Sequence, residues 1–271
     1  MDHRQLVGSY TARGGFENEF DICKKFVAYK NDLDAQSWLK VMGYNFSKVS
    51  SLVVTPIPVR INLARAESLG VSSDAYEEAS KYKKADVQLK LEVEIDSVVF
   101  TENLSLKKAN KSAGFNQIDK RPVDTYQKMW GFRDRLSDIL KFFTGEKSPR
   151  NYEPQVCHSD ARRLFINELH SSDREEIIKF FADNKHLVIS DAIMGRGALK
   201  SDYVLVTEKN GECYRWIIAD IASVCNFYCQ GDVQVTPRGS LKIGRITMQR
   251  KGGTPDPTSL QFKFNPLDLF S

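Results

Sequence analysis

No run of apolar residues in the 271-residue sequence approaches the length of a membrane span. The opening stretch, MDHRQLVGSYTARGG, lacks an apolar core, so neither a transmembrane helix nor a secretory signal is expected. Cysteine is scarce and odd in number, with Cys23, Cys157, Cys213, Cys225 and Cys229 at no framework spacing. Reduced thiols in a cytoplasmic protein are the expectation. Cys225 and Cys229 have no second ligand pair nearby, and nothing completes a set around Cys157 and His158, so the ligand count for a structural zinc is not met. Neither sign of charge dominates: 39 Lys and Arg stand against 35 Asp and Glu, for a net +4. Such a mildly basic balance is compatible with a polyanionic partner but does not establish one, which must be argued from where the basic residues sit. There is no internal repeat and no low-complexity tract.

What is present reads as a mixed α/β chain. FENEFDICKKFVAYK (16–30) predicts an amphipathic helix with Phe16, Phe20, Cys23 and Val27 on one stripe, and DAQSWLKVM (34–42) a second helix stopped by Gly43. The two prolines in SLVVTPIPVRINLARAE (51–67) argue against a central strand across 55–58. VSSDAYEEASKYKK (71–84) reads as an exposed loop or helix. A β-hairpin follows from residue 86, with Asp96 and Ser97 near its turn. A long helix is predicted from Asp124 to Gly145, and the stretch 147–155, KSPRNYEPQ, reads as a linker. Helices at 159–170 and 172–184 come next, then strands HLVISDAIM (186–194), DYVLVTEK (202–209) and YRWIIADI (214–221), with Asn210-Gly211 marking a hairpin turn. A hairpin over 233–250 and a last strand, LQFKF (260–264), close the chain. One domain over 1–271 is expected, in halves of about 1–145 and about 150–271 on either side of that linker.

The chemistry sits in ADVQLKLEVEIDSVVFTENLSLKK (85–108). Side chains alternate along a strand, so Val87, Leu89, Leu91, Val93 and Ile95 face one way and Gln88, Lys90, Glu92 and Glu94 the other. Ser105 and Lys107 share a face, and a suitable hairpin register brings Asp86 beside them. An aspartate holds Mg²⁺ through oxygen, and a neighbouring ammonium steadies an attacking hydroxide and the charge growing on a phosphate. Ser105 is neutral and a poorer ligand than a carboxylate. Glu92, Glu94, Glu17 and Glu19 are the candidates for the missing negative charge.

Three glycine-punctuated basic stretches point toward DNA. NKSAGFNQIDK (110–120) sets Lys111, Asn116, Gln117 and Lys120 around Phe115 in what reads as a loop. Asn and Gln read base edges bidentately, lysine meets phosphate or guanine, and a loop phenylalanine can wedge between base steps. TPRGSLKIGRITMQRKGG (236–253) carries Arg238, Lys242, Arg245, Gln249, Arg250 and Lys251, with Arg245 and Gln249 expected on one strand face. Gly195-Arg196-Gly197 adds a third basic turn.

The segments GGFENEFDI, AQSWLKVMG, GFNQIDK, YQKMWGF, FTGE, GRG, TPRGS, IGRITMQRKGG and LQFKFNPLDLF together resemble the small type II restriction endonucleases that cleave GCGC, members of the PD-(D/E)XK nuclease superfamily. The likeness runs over almost the whole chain. It implies an α/β fold with a PD-(D/E)XK core, a mixed central sheet flanked by helices. It also implies Mg²⁺-dependent hydrolysis of double-stranded DNA at a short G+C-rich site, leaving 5′-phosphate ends. The relatives' spacing of an aspartate, eighteen residues, a polar residue, any residue and a lysine falls on Asp86, Ser105, Leu106 and Lys107. The resemblance makes Asp86 a metal ligand and Lys107 the residue that activates water. Ser105 stands where relatives carry glutamine or asparagine, and Glu17 or Glu19 completes the metal shell. It sends Phe115, Asn116, Gln117 and Lys120 into the DNA, with further base and phosphate contacts from Arg238, Arg245, Gln249, Arg250 and Lys251. A monomer or homodimer, and a cognate DNA methyltransferase in the same host, are implied as well. The region 51–84 is longer than in those enzymes. The rival reading is a sequence-specific DNA-binding protein with weak or no nuclease activity.

Overall fold

The computed structural model describes residues 15, 17–93, 98–109, 115–210, 213–251 and 258–271. Within these, the strands in chain order are β1 (Val49–Pro56), β2 (Val87–Val93), β3 (Val98–Ala109), β4 (Asn116–Pro122), β5 (Tyr203–Asn210), β6 (Cys213–Asp220), β7 (Val233–Val235), β8 (Leu241–Ile243), β9 (Ile246–Arg250) and β10 (Ser259–Phe264). The helices are α1 (17–27), α2 (Leu33–Val41), α3 (Leu63–Ser68), α4 (Tyr76–Tyr82), α5 (Val123–Trp130), α6 (Asp134–Thr144), α7 (Ser171–Asp183), α8 (Lys185–Ile193) and α9 (Ile221–Tyr228). None among the described residues is long and apolar enough to cross a membrane. The chain forms two compact units, one of Met1–Gly114, Ile193–Val224 and Pro266–Ser271, the other of Phe115–Ala192 and Cys225–Asn265.

The first unit is built on a five-stranded sheet in the order β1-β2-β3-β5-β6. Only the β3–β5 pair is parallel, so the sheet is mixed. The alternation read from the sequence governs its faces. Val87, Leu89 and Leu91 join Leu104, Leu106, Leu205 and Ile218 in one core, covered by Ile22 and Phe26 of α1 and Trp38 of α2. Phe26 and Trp216 both pack on Trp38, with ring centroids at 5.1 and 5.9 Å. Asp32 caps α2 by accepting from Ala35 N–H at 2.9 Å. The buried stripe of α1 is Ile22, Cys23 and Phe26, whereas Phe20 and Val27, expected to point inward, are 60% and 68% exposed. β1 takes the sheet edge and ends on Pro56, a residue with no N–H to offer a ladder.

A smaller apolar cluster seats the chain connection from β1 to β2. Ile57, Ala66, Leu69, Val71, Ala79, Ala85 and Leu199 are buried together, seating α3 and α4. The Gly195-Arg196-Gly197 turn buttresses this cluster. Gly195 has φ +80°, and a Cβ there would lie 2.3 Å from the Tyr82 carbonyl oxygen, so only glycine fits. Arg196 donates its backbone N–H to that same Tyr82 carbonyl.

The second unit carries an antiparallel sheet in the order β4-β10-β9-β8-β7. Its core is aromatic: Tyr126 stacks on Trp130 at 4.5 Å, and Phe262 meets both rings edge-on at 5.2 and 5.6 Å.

Several elements differ from the sequence expectations. The long helix is two helices, because Gly131 takes a left-handed conformation with φ 68° and closes α5 onto the Gln127 carbonyl. Of the strand expected over 186–194, residues 186–193 lie in helix α8 instead. Val188, Ile189, Ala192 and Ile193 are buried at helical spacing, and burial from several sides blurred the periodicity. The expected helix at 159–170 is a connection with one three-residue 3₁₀ turn, Ile166–Glu168. Its backbone N–H groups go to neighbours instead, Leu164 to Phe142 O and Ile166 to Gly239 O. The expected loop GFNQIDK is largely strand β4, paired with β10. The hairpin over 233–250 is three short strands. The turns expected at Asp96-Ser97 and Asn210-Gly211 fall on or beside residues outside the described set, though β2–β3 and β5–β6 pair as antiparallel neighbours.

Candidate active site

Hairpin register places the first cluster. In β2–β3, Val87 lies opposite Leu104 and Val93 opposite Val98. The same count puts Asp86, one residue before β2, opposite Ser105. Asp86 is fixed from both sides: its N–H donates to Leu104 O, and its carbonyl accepts from Ile57 N–H, each at 2.8 Å. Its side chain therefore rises on the polar face of the hairpin. There Oδ2 accepts from Leu106 N–H at 2.7 Å and from Ser105 Oγ at 3.3 Å. Lys107 Nζ lies 3.4 Å from that oxygen, and donates to Ser105 Oγ at 2.7 Å and to Leu106 O at 3.0 Å. Ser105 is buried, while Asp86 and Lys107 keep part of their side chains open to solvent.

Helix α1 brings in a second carboxylate. Burial and the nearby Asp86 push the Glu19 carboxyl above its ordinary value, against the pull of Lys107 and Lys83. Burial pushes the Lys83 ammonium down, although Asp86 and Glu19 draw it the other way. Glu19, rather than Glu17, is thus the first-helix acid within the field of Asp86 and Lys107. Glu17 is exposed and lines a neighbouring groove of about 660 Å³ with Asp21, Lys24, Lys108 and Lys209. Glu92, on β2, accepts from Ser51 Oγ of the edge strand β1, and Glu94 lies outside the described residues.

No group of three or more acidic, His or Cys side chains stands ready for a metal among the described residues. The donors on hand are the Asp86 and Glu19 carboxylates and the Ser105 hydroxyl. The two carboxylates and the neutral hydroxyl make a set of hard oxygen donors that fits a divalent ion of the Mg²⁺ kind, which keeps several waters and binds few protein carboxylates.

In the second unit, β-register assembles a polar face. Thr247 lies opposite Lys263, and Lys263 opposite Gln117. Gln249 lies opposite Gln261, and Gln261 opposite Lys120. Gln261 donates its amide to Gln117 Oε1. Burial pushes the Lys263 ammonium down, and Lys251, on the same alternation as Gln249, pushes it further. A half-buried ammonium with a second one near it, on a concourse of amides, suits an anionic, hydrogen-bonding partner. Phe115, 54% exposed, leads into β4 beside Asn116.

Other expected contacts are placed differently. Arg245 precedes β9 in a turn and does not share Gln249's strand face. Its guanidinium lies 4.1 Å above the Phe227 ring and donates to Gln230 Oε1 at 2.8 Å. Arg238 is exposed in the turn after β7. Arg250 points to the opposite side from Gln249, stacked 3.9 Å over Phe165 and 3.1 Å from Asp160 Oδ2. Arg163, also buried, shares that carboxylate and donates to Lys251 O at 2.8 Å. Burial pushes Asp160 up, but the Arg162 N–H and the charges of Arg250, Arg163 and Arg162 outweigh it and hold the carboxyl low. Asp160→Asn leaves the buried guanidinium of Arg163 and the partly buried one of Arg250 short of their counter-ion, so a loss of about 3 kcal/mol is expected in a denaturant melt. A carboxyl held low stabilises the fold above its unfolded pKa and ceases to as pH falls through the folded value. The difference between wild type and Asp160→Asn should therefore shrink in acid.

A family model, R.HinP1I restriction endonuclease, matches residues 77–270. The chain belongs to that restriction endonuclease family. It is a type II site-specific deoxyribonuclease, as the resemblance implied. Among solved structures, the restriction endonuclease MspI in complex with its cognate DNA matches with a TM-score of 0.62 and 14% identity, over 97% of this chain and 93% of that one. This likeness shows the fold, a mixed central sheet flanked by helices. None of the curated proteins matches the sequence.

The matched region of this restriction endonuclease holds Lys83, Asp86, Ser105 and Lys107 but not Glu19 or the segment that seats α4. Lys83, Gln261 and Lys263 escaped the sequence reading. The signal for the latter two was present: in LQFKF they alternate with Leu260, Phe262 and Phe264, which are buried. Phasing α1 on Ile22, Cys23 and Phe26 would likewise have put Glu19 on the inward stripe, three, four and seven residues before them.

Proposed function

We propose that this restriction endonuclease hydrolyses both strands of duplex DNA at a G+C-rich site of about four base pairs with Mg²⁺, leaving 5′-phosphate and 3′-hydroxyl ends. One observation carries the reading: Asp86, Ser105 and Lys107 meet within hydrogen-bond range, with Glu19 in their field. Asp86 and Glu19 would hold the ion, with Ser105 close by. Bound Mg²⁺ supplies Lewis-acid polarisation of the phosphate and a water of lowered pKa.

The chain's own groups do the rest. Lys107, held by Ser105 Oγ and Leu106 O, positions water for attack on phosphorus in line with the 3′-oxygen. The bond from phosphorus to that oxygen breaks, and the phosphate stays on the 5′ side. Lys107 also faces the negative charge that grows on the phosphoryl oxygens. Gln117, Lys120, Gln249, Gln261 and Lys263 form the face proposed to read base edges. Lys251 is placed for phosphate, and Phe115 for insertion between base steps. A host carrying this activity needs a methyltransferase that protects the same site.

The test is digestion of unmethylated plasmid with and without Mg²⁺, followed by sequencing of fragment ends. Discrete fragments with one shared terminal sequence are expected, and only with Mg²⁺. A mobility shift without cleavage would instead support a DNA-binding protein with no useful nuclease activity. Ser105 is neutral and acts through Lys107, so Ser105→Ala should slow single-turnover cleavage by about tenfold, far less than loss of either charged partner.

A further inference from the structure

We propose that Arg162 holds a backbone phosphate of the bound duplex, at the margin of the face that reads bases; this rests on the nuclease reading above. The connection between α6 and α7 is irregular, yet it is tied down where it carries Asp160, Arg162 and Arg163. Arg162 N–H donates to Asp160 Oδ1, and Leu164 N–H to Phe142 O, each at 3.0 Å. Glu168 accepts from the N–H and hydroxyl of Ser159 and from the N–H of Phe165, each at 2.7 Å. Gly145, with φ +90°, closes on the stem of Arg163, where a Cβ would lie 2.6 Å from Cγ. The backbone under Arg162 is therefore fixed before any partner arrives.

Positive charge is in excess here. Three guanidinium groups share the Asp160 carboxylate: Arg250 at 3.1 Å, Arg162 at 3.6 Å and Arg163 at 3.7 Å. Glu168 gives both oxygens to neutral donors and pairs with none of the three among the described residues. Arg163 is buried and already donates to Lys251 O at 2.8 Å. Arg250 lies 3.9 Å over the Phe165 ring, with Nη1 buried and without an acceptor among the described residues. Arg162 is different. Its side chain is 64% exposed, and its guanidinium donates to no acceptor among the described residues. A guanidinium at the surface of two less exposed ones is repelled by them and drawn to an anion arriving from solvent. The planar fork matches a phosphate.

The position agrees. β8 ends opposite Met248, so Gln249 and Arg250 pair with β10 alone among the described residues. Arg163 meets the chain just beyond, at Lys251 O. A strand rises about 3.4 Å per residue, so that point is about 7 Å along from Gln249. A major groove is about 12 Å wide, so a side chain at base edges has the flanking phosphates about that far to the side. The arginine cluster begins there.

Wild type, Arg162→Gln and Arg162→Lys are compared for duplex affinity in chelator over a salt series. The duplexes include a set that each carry one neutral methylphosphonate. Arg162→Gln should bind cognate and unrelated duplexes more weakly by the same factor, about tenfold, with the slope of log affinity against log salt smaller by about one. Arg162→Lys keeps the charge and should recover most of that slope. One flanking methylphosphonate should weaken wild type by about tenfold and Arg162→Gln by less than about twofold. A merely structural residue would not cancel the effect of one phosphate. An unchanged salt slope in Arg162→Gln overturns the proposal. So do methylphosphonate losses that persist in full in that variant at every position. If Arg162→Gln fails to fold, Arg162→Met takes its place in the same series. A wild type that binds no duplex overturns the nuclease reading itself, and the role of Arg162 falls with it.

Discussion

Lys107→Ala is expected to cleave duplex DNA at least about a thousandfold more slowly than wild type, while binding the same duplex within a few fold. A thousandfold is about 4 kcal/mol of barrier. That is reasonable for a charge aimed where negative charge develops in a partly dry site. The ammonium is oriented by three oxygens, those of Ser105 Oγ, Leu106 carbonyl and Asp86, so it enters the reaction already in place. Binding is spared because the proposed reading face lies on β4, β9 and β10, in the other unit. Single-turnover cleavage and a mobility shift on one duplex separate the two effects. A Lys107→Ala protein that cuts at near wild-type rate would show the site to be misplaced.

Asp86→Asn should lose activity by three to four orders of magnitude, about 4 to 5 kcal/mol, by a different route. Asparagine keeps the shape of the side chain and an oxygen for the Leu106 N–H, so the hairpin and the melting profile should survive. What goes is one of two carboxylates available to a divalent ion. Mn²⁺ affinity is therefore expected to fall in Asp86→Asn and to hold or rise in Lys107→Ala, which removes a cation from the same site. The opposite signs distinguish ligand from ammonium. Full cleavage by Asp86→Asn, or unchanged Mn²⁺ affinity, would remove Asp86 from the metal site.

The site was legible because strand pairing is arithmetic. Once β2 and β3 form a hairpin closed between Val93 and Val98, Asp86 must face Ser105, and the period of two places Lys107 alongside. Helix phase is less forgiving. Glu17 and Glu19 are two residues apart, and only the packing of Ile22, Cys23 and Phe26 on the sheet decides which turns toward Asp86. The apolar stripe read from Phe16, Phe20, Cys23 and Val27 was rotated from the real one, because Phe20 and Val27 are left exposed.

In the second unit, local pattern misled where tertiary context decided. The run HLVISDAI is rich in β-branched residues but becomes helix α8, with Asp191 accepting from Trp130 Nε1 at 2.8 Å. Arg250, one residue from Gln249, faces the other way and spends its charge on Asp160. Adjacent basic residues on a strand cannot serve one surface, so a basic run there overstates its footprint.

The most direct measurement is the position of Mn²⁺ by anomalous scattering in crystals of Lys107→Ala with duplex DNA. An ion seated on the carboxylates of Asp86 and Glu19, against a phosphate of the bound strand, is the expected result. An ion held elsewhere, with Asp86 bare beside the DNA, would contradict the site.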